Sequence, residues 1–335
     1  MKPRLGICLP VYKRPALLEK CLESIFASIG KAEVSVYVSD DSCDGTNDAV
    51  LEKFSKRYPN FHVSKNEKNL GIDGNICKAI DMAETDFAWP IGEDDRLRHG
   101  AVAAVLERLD GESRGASFLF SNYEYVDNRY RWSFNGPVLK VQRDELMGAE
   151  RFFREHSWAI GFIGACVVDR RLWGKTDSDR YIGTYYAHVG TIFESIGAKA
   201  KVLVIAEPLV LNRAEDSSTF TWSKHAFDVF FGWERMIGLL RGGYSAADKK
   251  RALESSKVLF KQRSPLWLVS KRADCIYRFR VFHRYYASDP TLGKGTRAAA
   301  YVIAGMPPFL CKAAKILAKD LPRIIKKRRV AIESL

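Results

Sequence analysis

Between Phe87 and Arg96 the chain reads FAWPIGEDDR: five apolar or aromatic residues, a glycine, then Glu93, Asp94 and Asp95. An apolar run of that length fits a buried strand. Acids just past its end stand where open α/β sheets bind ligands, in the crevice outside the strand C-termini. Three adjacent carboxylates repel one another unless a positive partner arrives. A divalent cation carrying a diphosphate is such a partner, because hard cations take oxygen ligands from carboxylates and substrate phosphates together. The same acids also suit a solvated turn. A second pair, Asp40-Asp41, follows VSVYV at 34–38, and two acidic pairs after two strands of one sheet converge on one edge. That convergence favours a site.

The elements that position these acids alternate. Leu5–Pro10 is a short apolar run, and from Arg14 to Ile29 the apolar residues Leu17, Leu18, Cys21, Leu22, Ile25 and Phe26 recur at helical intervals. Val34–Val38 reads as a strand, 49–58 as a helix, Phe61–Val63 as a strand and Gly74–Glu84 as a helix before the FAWPI strand. This order predicts an α/β fold, a mostly parallel sheet with helices on both faces. NLGIDGN at 69–75 offers Gly71 and Gly74 for positive φ or close backbone approach, and Asn75 as a helix cap. Neither GxxxxGK[ST] nor GxGxxG occurs, so a nucleotide here is held without a glycine cradle. Further on, 117–125 reads as an aromatic strand and 126–135 as a polar loop in which Trp132 and Phe134 fill core, the favoured reading, or stack on a sugar. Residues 148–158 read as a helix, 160–173 as a glycine-rich strand and 203–211 as a strand pair.

The 335 residues are 47% hydrophobic, enough for a substantial core. Seven cysteines without a CxxC pair read as reduced thiols. The N-terminus has no uninterrupted apolar h-region, and no stretch reaches the roughly 18 apolar residues of a membrane span. A cytoplasmic location is the expectation. Residues 249–335 carry 21 Lys/Arg against 5 Asp/Glu, while the remainder carries 32 against 35. A near-neutral body with a basic tail points to an anionic partner. In 298–319, Pro307-Pro308 splits two apolar helical segments with Lys312, Lys315 and Lys319 on a polar side, and KKRR follows at 326–329. That pattern fits a helix lying on an anionic membrane surface. A nucleic-acid partner is disfavoured, because the acidic crevice repels phosphate backbones.

The ordered motifs resemble the GT-A glycosyltransferases of family 2. Pro10-Val11-Tyr12 matches the P-x-Y that ends the first strand, and Asp40 to Thr46 (DDSCDGT) matches D-D-x-S-x-D-G-T with a one-residue offset. Asn69, Gly71 and Asn75 match N-x-G-x-x-x-N, and 92–95 stands at the metal-binding D-x-D, with Gly92 in place of its first acid. The likeness covers residues 4–100 well and 101–215 loosely. It implies a catalytic domain at 1–215, with a nucleotide-binding half at 1–100 and an acceptor half at 101–215. A helical region at 216–335 would follow, with a membrane-interfacial segment near 298–329.

By position, the resemblance implies that Pro10, Val11 and Tyr12 line the base of a nucleotide-diphosphate sugar. Arg14, Asp40, Asp41, Asn69, Gly71, Asn75, Glu93 and Asp94 complete the donor site. Asp94 and Asp95 would take Mg²⁺ or Mn²⁺. At 181–195 the family's acid pair at a helix start is missing and His188 stands nearest, so His188 is the expected base or a metal ligand. Asp177, Asp179 and Glu194 are the fallbacks. This variation is similar to the O-antigen, abequosyltransferase-like branch. It implies inverting transfer to a polyprenyl-diphosphate-linked glycan on the cytoplasmic face of the inner membrane. A nucleotidyltransferase would share the sheet and acids, but PVYKRP lacks the glycine-rich loop expected after its first strand.

Overall fold

The computed structural model describes residues 3–111, 115–214, 225–256, 264–289, 292–320 and 329–331. Its first ninety residues follow the expected alternation: β1 (Leu5–Val11), α1 (Pro15–Ile29), β2 (Val34–Asp40), α2 (Asp48–Arg57), β3 (Phe61–Lys65), α3 (Gly71–Asp81) and β4 (Phe87–Pro90). Pro15 opens α1, where a missing N–H costs nothing. β2 is buried along its whole length, as a central parallel strand covered on both faces must be. Then come β5 (Arg96–Leu97), α4 (Ala101–Asp110), β6 (Ala116–Val126), β7 (Trp132–Pro137), β8 (Glu145–Gly148), α5 (Ala149–His156), β9 (Cys166–Asp169), α6 (Arg170–Trp173), α7 (Ala187–Ile196) and β10 (Lys201–Arg213). The rest is helical, α8 (Ala226–Leu239), α9 (Ala246–Ser256), α10 (Pro265–Ala273), α11 (Phe279–Tyr285), α12 (Lys294–Gly305) and α13 (Pro308–Asp320), except for β11 (Arg329–Ala331).

One mixed sheet runs β11-β7-β6-β9-β4-β1-β2-β3, with β10 beside β6, β5 and β8. β1, β2, β3 and β4 are parallel, whereas β9 runs antiparallel to β4 and β6. Register brings the sequence motifs together. Val11 stands opposite Asp40, so β1 and β2 end level. Cys8 stands opposite Pro90, so residues 91–95 run on beside Leu9–Tyr12.

Three expectations change here. The polar loop at 126–135 gives way at Trp132 to strand β7, whose Trp132 is exposed. The glycine-rich strand at 160–173 is mainly two 3₁₀ turns before the short β9. The strand pair at 203–211 is a single strand, β10, with an irregularity between Ile205 and Val210.

The main hydrophobic core runs from Leu5 through the sheet to Trp233, Met236 and Ile237 of α8 and Ala252 of α9. A second core joins Phe227 of α8 to Leu268, Tyr277, Phe282, Tyr286, Ala300 and Ile303. Helix α8 therefore contributes to both cores, and the main core extends beyond residue 215. At Gly232 a Cβ would stand 1.9 Å from the Thr184 carbonyl oxygen, so α8 meets the 182–186 loop backbone to backbone. Gly232→Ala is expected to cost about 3 kcal/mol through forced displacement of that backbone, read as a lower denaturant midpoint at unchanged slope.

Candidate active site

The crevice lies outside the C-terminal ends of β1, β2 and β4. Tyr12 is 44% exposed at its mouth. Its backbone N–H donates to Glu93 Oε2 at 2.8 Å, and the next N–H, of left-handed Lys13, donates to Ser42 Oγ at 2.9 Å. Pro10 is half-buried, and the Val11 side chain is fully buried. Val11 acts through its carbonyl, which accepts from Asn75 Nδ2 at 3.2 Å and from the Asp41 N–H at 3.0 Å. Arg14 reaches across to Asp94, Nη1 to Oδ2 at 2.6 Å, and lies 3.8 Å from Glu93. Burial pushes the Glu93 carboxyl up to about 8, against the pull of the Tyr12 N–H and Arg14.

The two acids after β2 have separate tasks. Asp40 Oδ1 accepts from the Ser42 N–H and from Asn47 Nδ2, both at 3.1 Å. Asp41 is buried, and both of its oxygens are used internally. Its Oδ1 accepts from Asn66 Nδ2 at 2.9 Å and the Leu70 N–H at 2.7 Å, and its Oδ2 from the Gly71 N–H at 3.1 Å. The expectation that Asp41 contacts a donor is corrected: it anchors the start of α3 in place of a local cap. Asn69 belongs to the same latch, with Nδ2 donating to the Asp41 carbonyl and Oδ1 accepting from Gly71 N–H. Gly71 supplies the required positive φ of 73°. Asn75 sits inside α3 rather than capping it, buried between Val11 and Asn66.

Asp95 is also corrected. It is buried, turned inward and accepts from the Arg213 N–H at 3.2 Å. Burial, then the neighbouring Asp94, pushes its carboxyl well above the usual range. A Cβ on Gly92 would stand 2.4 Å from Asp95 Oδ2, so Asp95 occupies the room that the missing first acid would need. Among the described residues no group of three His, Cys, Asp or Glu could hold a metal. The fit for a divalent ion is thus narrow: Asp94, partly exposed, is the single carboxylate presented, enough for an ion that takes its other ligands from a diphosphate and water.

His188 is the clearest reversal. It is 1% exposed, its Nε2 meets the Ile160 carbonyl at 2.9 Å, and its Nδ1 has no partner. Desolvation lowers its pKa to about 4, leaving a neutral, weakly basic ring with no path to a substrate. Seven consecutive residues of α7, Ala187 to Phe193, are buried, so the helix is covered on every side where His188 stands. Asp179 lies exposed on the 178–181 turn, outside the lining of the adjacent cavity.

The carboxylate that does stand at the start of α7 is Asp73. Its Oδ2 accepts from the Tyr185 N–H at 2.8 Å and its Oδ1 from Ala187 N–H at 3.1 Å. Burial raises its pKa despite those bonds. Nothing local marks Asp73; a contact across more than a hundred residues does. It lines a cavity of about 830 Å³ bounded by the first turn of α3, the 182–185 loop, α8 and α11.

The model of the family described as glycosyl transferase family 2 matches residues 6–171, the stretch that carries the crevice. The chain belongs to glycosyl transferase family 2. It is 28% identical to abequosyltransferase RfbV of Salmonella typhimurium, over 82% of this chain and 84% of that one. It is 24% identical to the GalNAc(5)-diNAcBac-PP-undecaprenol beta-1,3-glucosyltransferase of Campylobacter jejuni, over 82% and 86%. The fold is shared with the mannosyltransferase PcManGT of Pyrobaculum calidifontis, solved with GDP-Man and Mn²⁺: TM-score 0.52 at 15% identity, over 96% of this chain and 88% of that one.

His188 sets a pH signature. An unfolded histidine titrates near 6.5, so between pH 6.5 and 4 the unfolded chain binds a proton that native His188 refuses. Stability falls as pH drops through that window, by about 3 kcal/mol at its lower end. His188→Gln is expected to flatten the pH dependence of Tm there; an unchanged slope contradicts the buried neutral ring.

Proposed function

We propose that this glycosyltransferase moves one sugar, with inversion, from a nucleotide-diphosphate sugar to a hydroxyl of a lipid-linked glycan. The observation that carries the reading is the convergence of exposed Tyr12, partly exposed Arg14 and Asp94, and buried Asp40 at one sheet edge, with a large cavity on the far side of the start of α3. Tyr12 offers a ring for the base. Asp40 uses only Oδ1 internally, which leaves Oδ2 for base or ribose. Arg14 supplies a planar fork suited to phosphate oxygens, and exchanges its bond to Asp94 for the diphosphate. Asp94 would hold Mg²⁺ or Mn²⁺, which when bound offsets charge on the leaving diphosphate; the Mn²⁺ in PcManGT supports this.

With His188 sealed in the core, the proton of the attacking hydroxyl goes to Asp73. Asp73 is itself 4% exposed, with its oxygens on the Tyr185 and Ala187 N–H groups, but unlike His188 it lines the cavity, and the raised pKa that burial gives it makes it the stronger base.

A lipid-linked acceptor, and with it a role in cell-surface polysaccharide synthesis, draws support from the undecaprenol-linked glycan in the Campylobacter relative's name and from the C-terminal helices. Among the described residues no helix is long and apolar enough to cross a membrane. However, α12 exposes Tyr301 and Val302, and α13 exposes Phe309, Leu310 and Ile316 near Lys312. Such a face lies in a membrane interface with lysines toward anionic headgroups. Residues 321–328, which hold most of the KKRR run, lie outside the described residues.

Two assays test the site. Transfer or donor hydrolysis should require Mg²⁺ or Mn²⁺, stop with EDTA, and fall at least about 100-fold in Asp94→Ala; full activity of that variant removes the site assignment. Asp73→Asn should lose about 100-fold or more in kcat while still showing a donor-induced thermal shift. A variant that keeps its kcat excludes Asp73 as the base.

A further inference from the structure

The cavity of about 830 Å³ between the catalytic sheet edge and the helical region falls within the ~300–1,000 Å³ range of small-molecule sites. Its walls come from both parts of the chain. Gly71 to Asp73 and the 182–185 loop belong to the catalytic sheet's edge, while Asp228, Phe231, Arg235, Arg284 and Tyr285 belong to α8 and α11. The lining combines flat rings with paired polar groups. Phe231 and Tyr285 stack at 4.5 Å with planes 8° apart, and the half-buried Tyr185 ring stands 6.3 Å from His225. Asp228 accepts from the Tyr285 hydroxyl and lies 3.1 Å from Arg284 Nη2. Arg235 donates to the Gly183 carbonyl.

Tyr185 carries a second signal. It is left-handed at φ 67°, a backbone state that costs a bulky residue roughly 1–3 kcal/mol and clusters at ligand clamps. Three contacts hold the loop there: the Asp73 carboxylate on the Tyr185 N–H, Gly232 packed under the Thr184 carbonyl, and Arg235 on Gly183. The chain thus stores strain to present an aromatic ring at this wall.

We infer that this cavity binds a pyranose ring, the sugar of the acceptor that receives the transferred unit. The inference rests on the glycosyltransferase reading above and deepens it. A sugar offers an apolar C–H face, which suits the half-buried Tyr185 ring, while Tyr285 is stacked between Phe231 and Arg284; it also offers a rim of hydroxyls that each donate and accept. Asp228 and Arg284 set an acceptor beside a donor, the arrangement that grips two neighbouring hydroxyls. A phosphate is disfavoured, because the carboxyl groups of Asp228 and Asp73 line the same space. The first turn of α3, which lines this cavity, is held by Asp41 at the end of β2 beside the donor crevice, so a hydroxyl of the bound ring points toward the donor past Asp73. The helical region therefore selects the acceptor, while the family's sheet edge handles the donor.

The test uses the full-length protein and a panel of methyl glycosides (galactoside, mannoside, rhamnoside, N-acetylglucosaminide) at millimolar concentration, read by saturation-transfer difference NMR. At least one should give signal with the wild type and lose most of it in Arg284→Gln and Asp228→Asn, both partly exposed positions whose Tm reports folding. In the same variants the KM for a lipid-linked acceptor should rise about tenfold, the loss of one charge-assisted hydrogen bond. Donor hydrolysis should stay within about twofold of wild type. Absence of signal from every glycoside, or folded variants with wild-type signal and acceptor KM, overturns the assignment. Failure of the underlying reading shows separately, as wild-type protein that neither hydrolyses nor transfers from any nucleotide sugar.

Discussion

The carboxylate of Asp41 is the constraint on which the rest of the site depends. A buried charge is tolerated only when hydrogen bonds replace its water, and Asp41 obtains them from Asn66 and the first backbone N–H groups of α3. Those N–H groups have no partner inside their own helix. One interaction therefore satisfies both the buried acid and the helix start. It fixes where α3 begins, and through α3 it places Asn75 against β1 and Asp73 against the start of α7. Donor crevice and cavity share a wall because they share this helix.

A second constraint is spatial. Asp95 turns into the protein toward Arg213 and fills the place a side chain at 92 would need. Glycine at 92 and the inward Asp95 are two views of one packing solution. The consequence is electrostatic: of the three consecutive acids 93–95, Asp94 is the most exposed and the one Arg14 bonds directly. Glu93 serves the fold, holding the Tyr12 backbone in position.

What could be read without coordinates was what local periodicity encodes. The four parallel strands, the helices between them and the edge on which Asp40 and Asp94 meet all follow from spacing and from strand ends. What could not be read depended on contacts across the sheet. His188 looked reactive because a histidine near a missing acid pair invites that role; only the packing of α7 onto Ile160 shows it sealed. Asp41 and Asp40 are adjacent in sequence, yet a strand's alternation and a distant loop give them opposite tasks. Asp73 reads as an ordinary loop acid between two glycines, and its partners lie at 185 and 187. The strand at Trp132 was hidden by the polar character of its flanks, and a single long β10 by the proline at 208.

Helix α8 has a consequence for how such enzymes diversify. Its apolar residues are shared between two cores, and Gly232 lies directly on the backbone of the 182–186 loop. A helical region joined in this manner is no detachable cassette. A chimera spliced at 215 would exchange the surface that shapes its own loop, and a junction at 240–245, after α8, would still divide both cores, between Ala252 and the sheet and between Phe227 and Leu268 to Ile303. A change of acceptor would then arise more readily by substitution along α8 and α11 than by wholesale replacement.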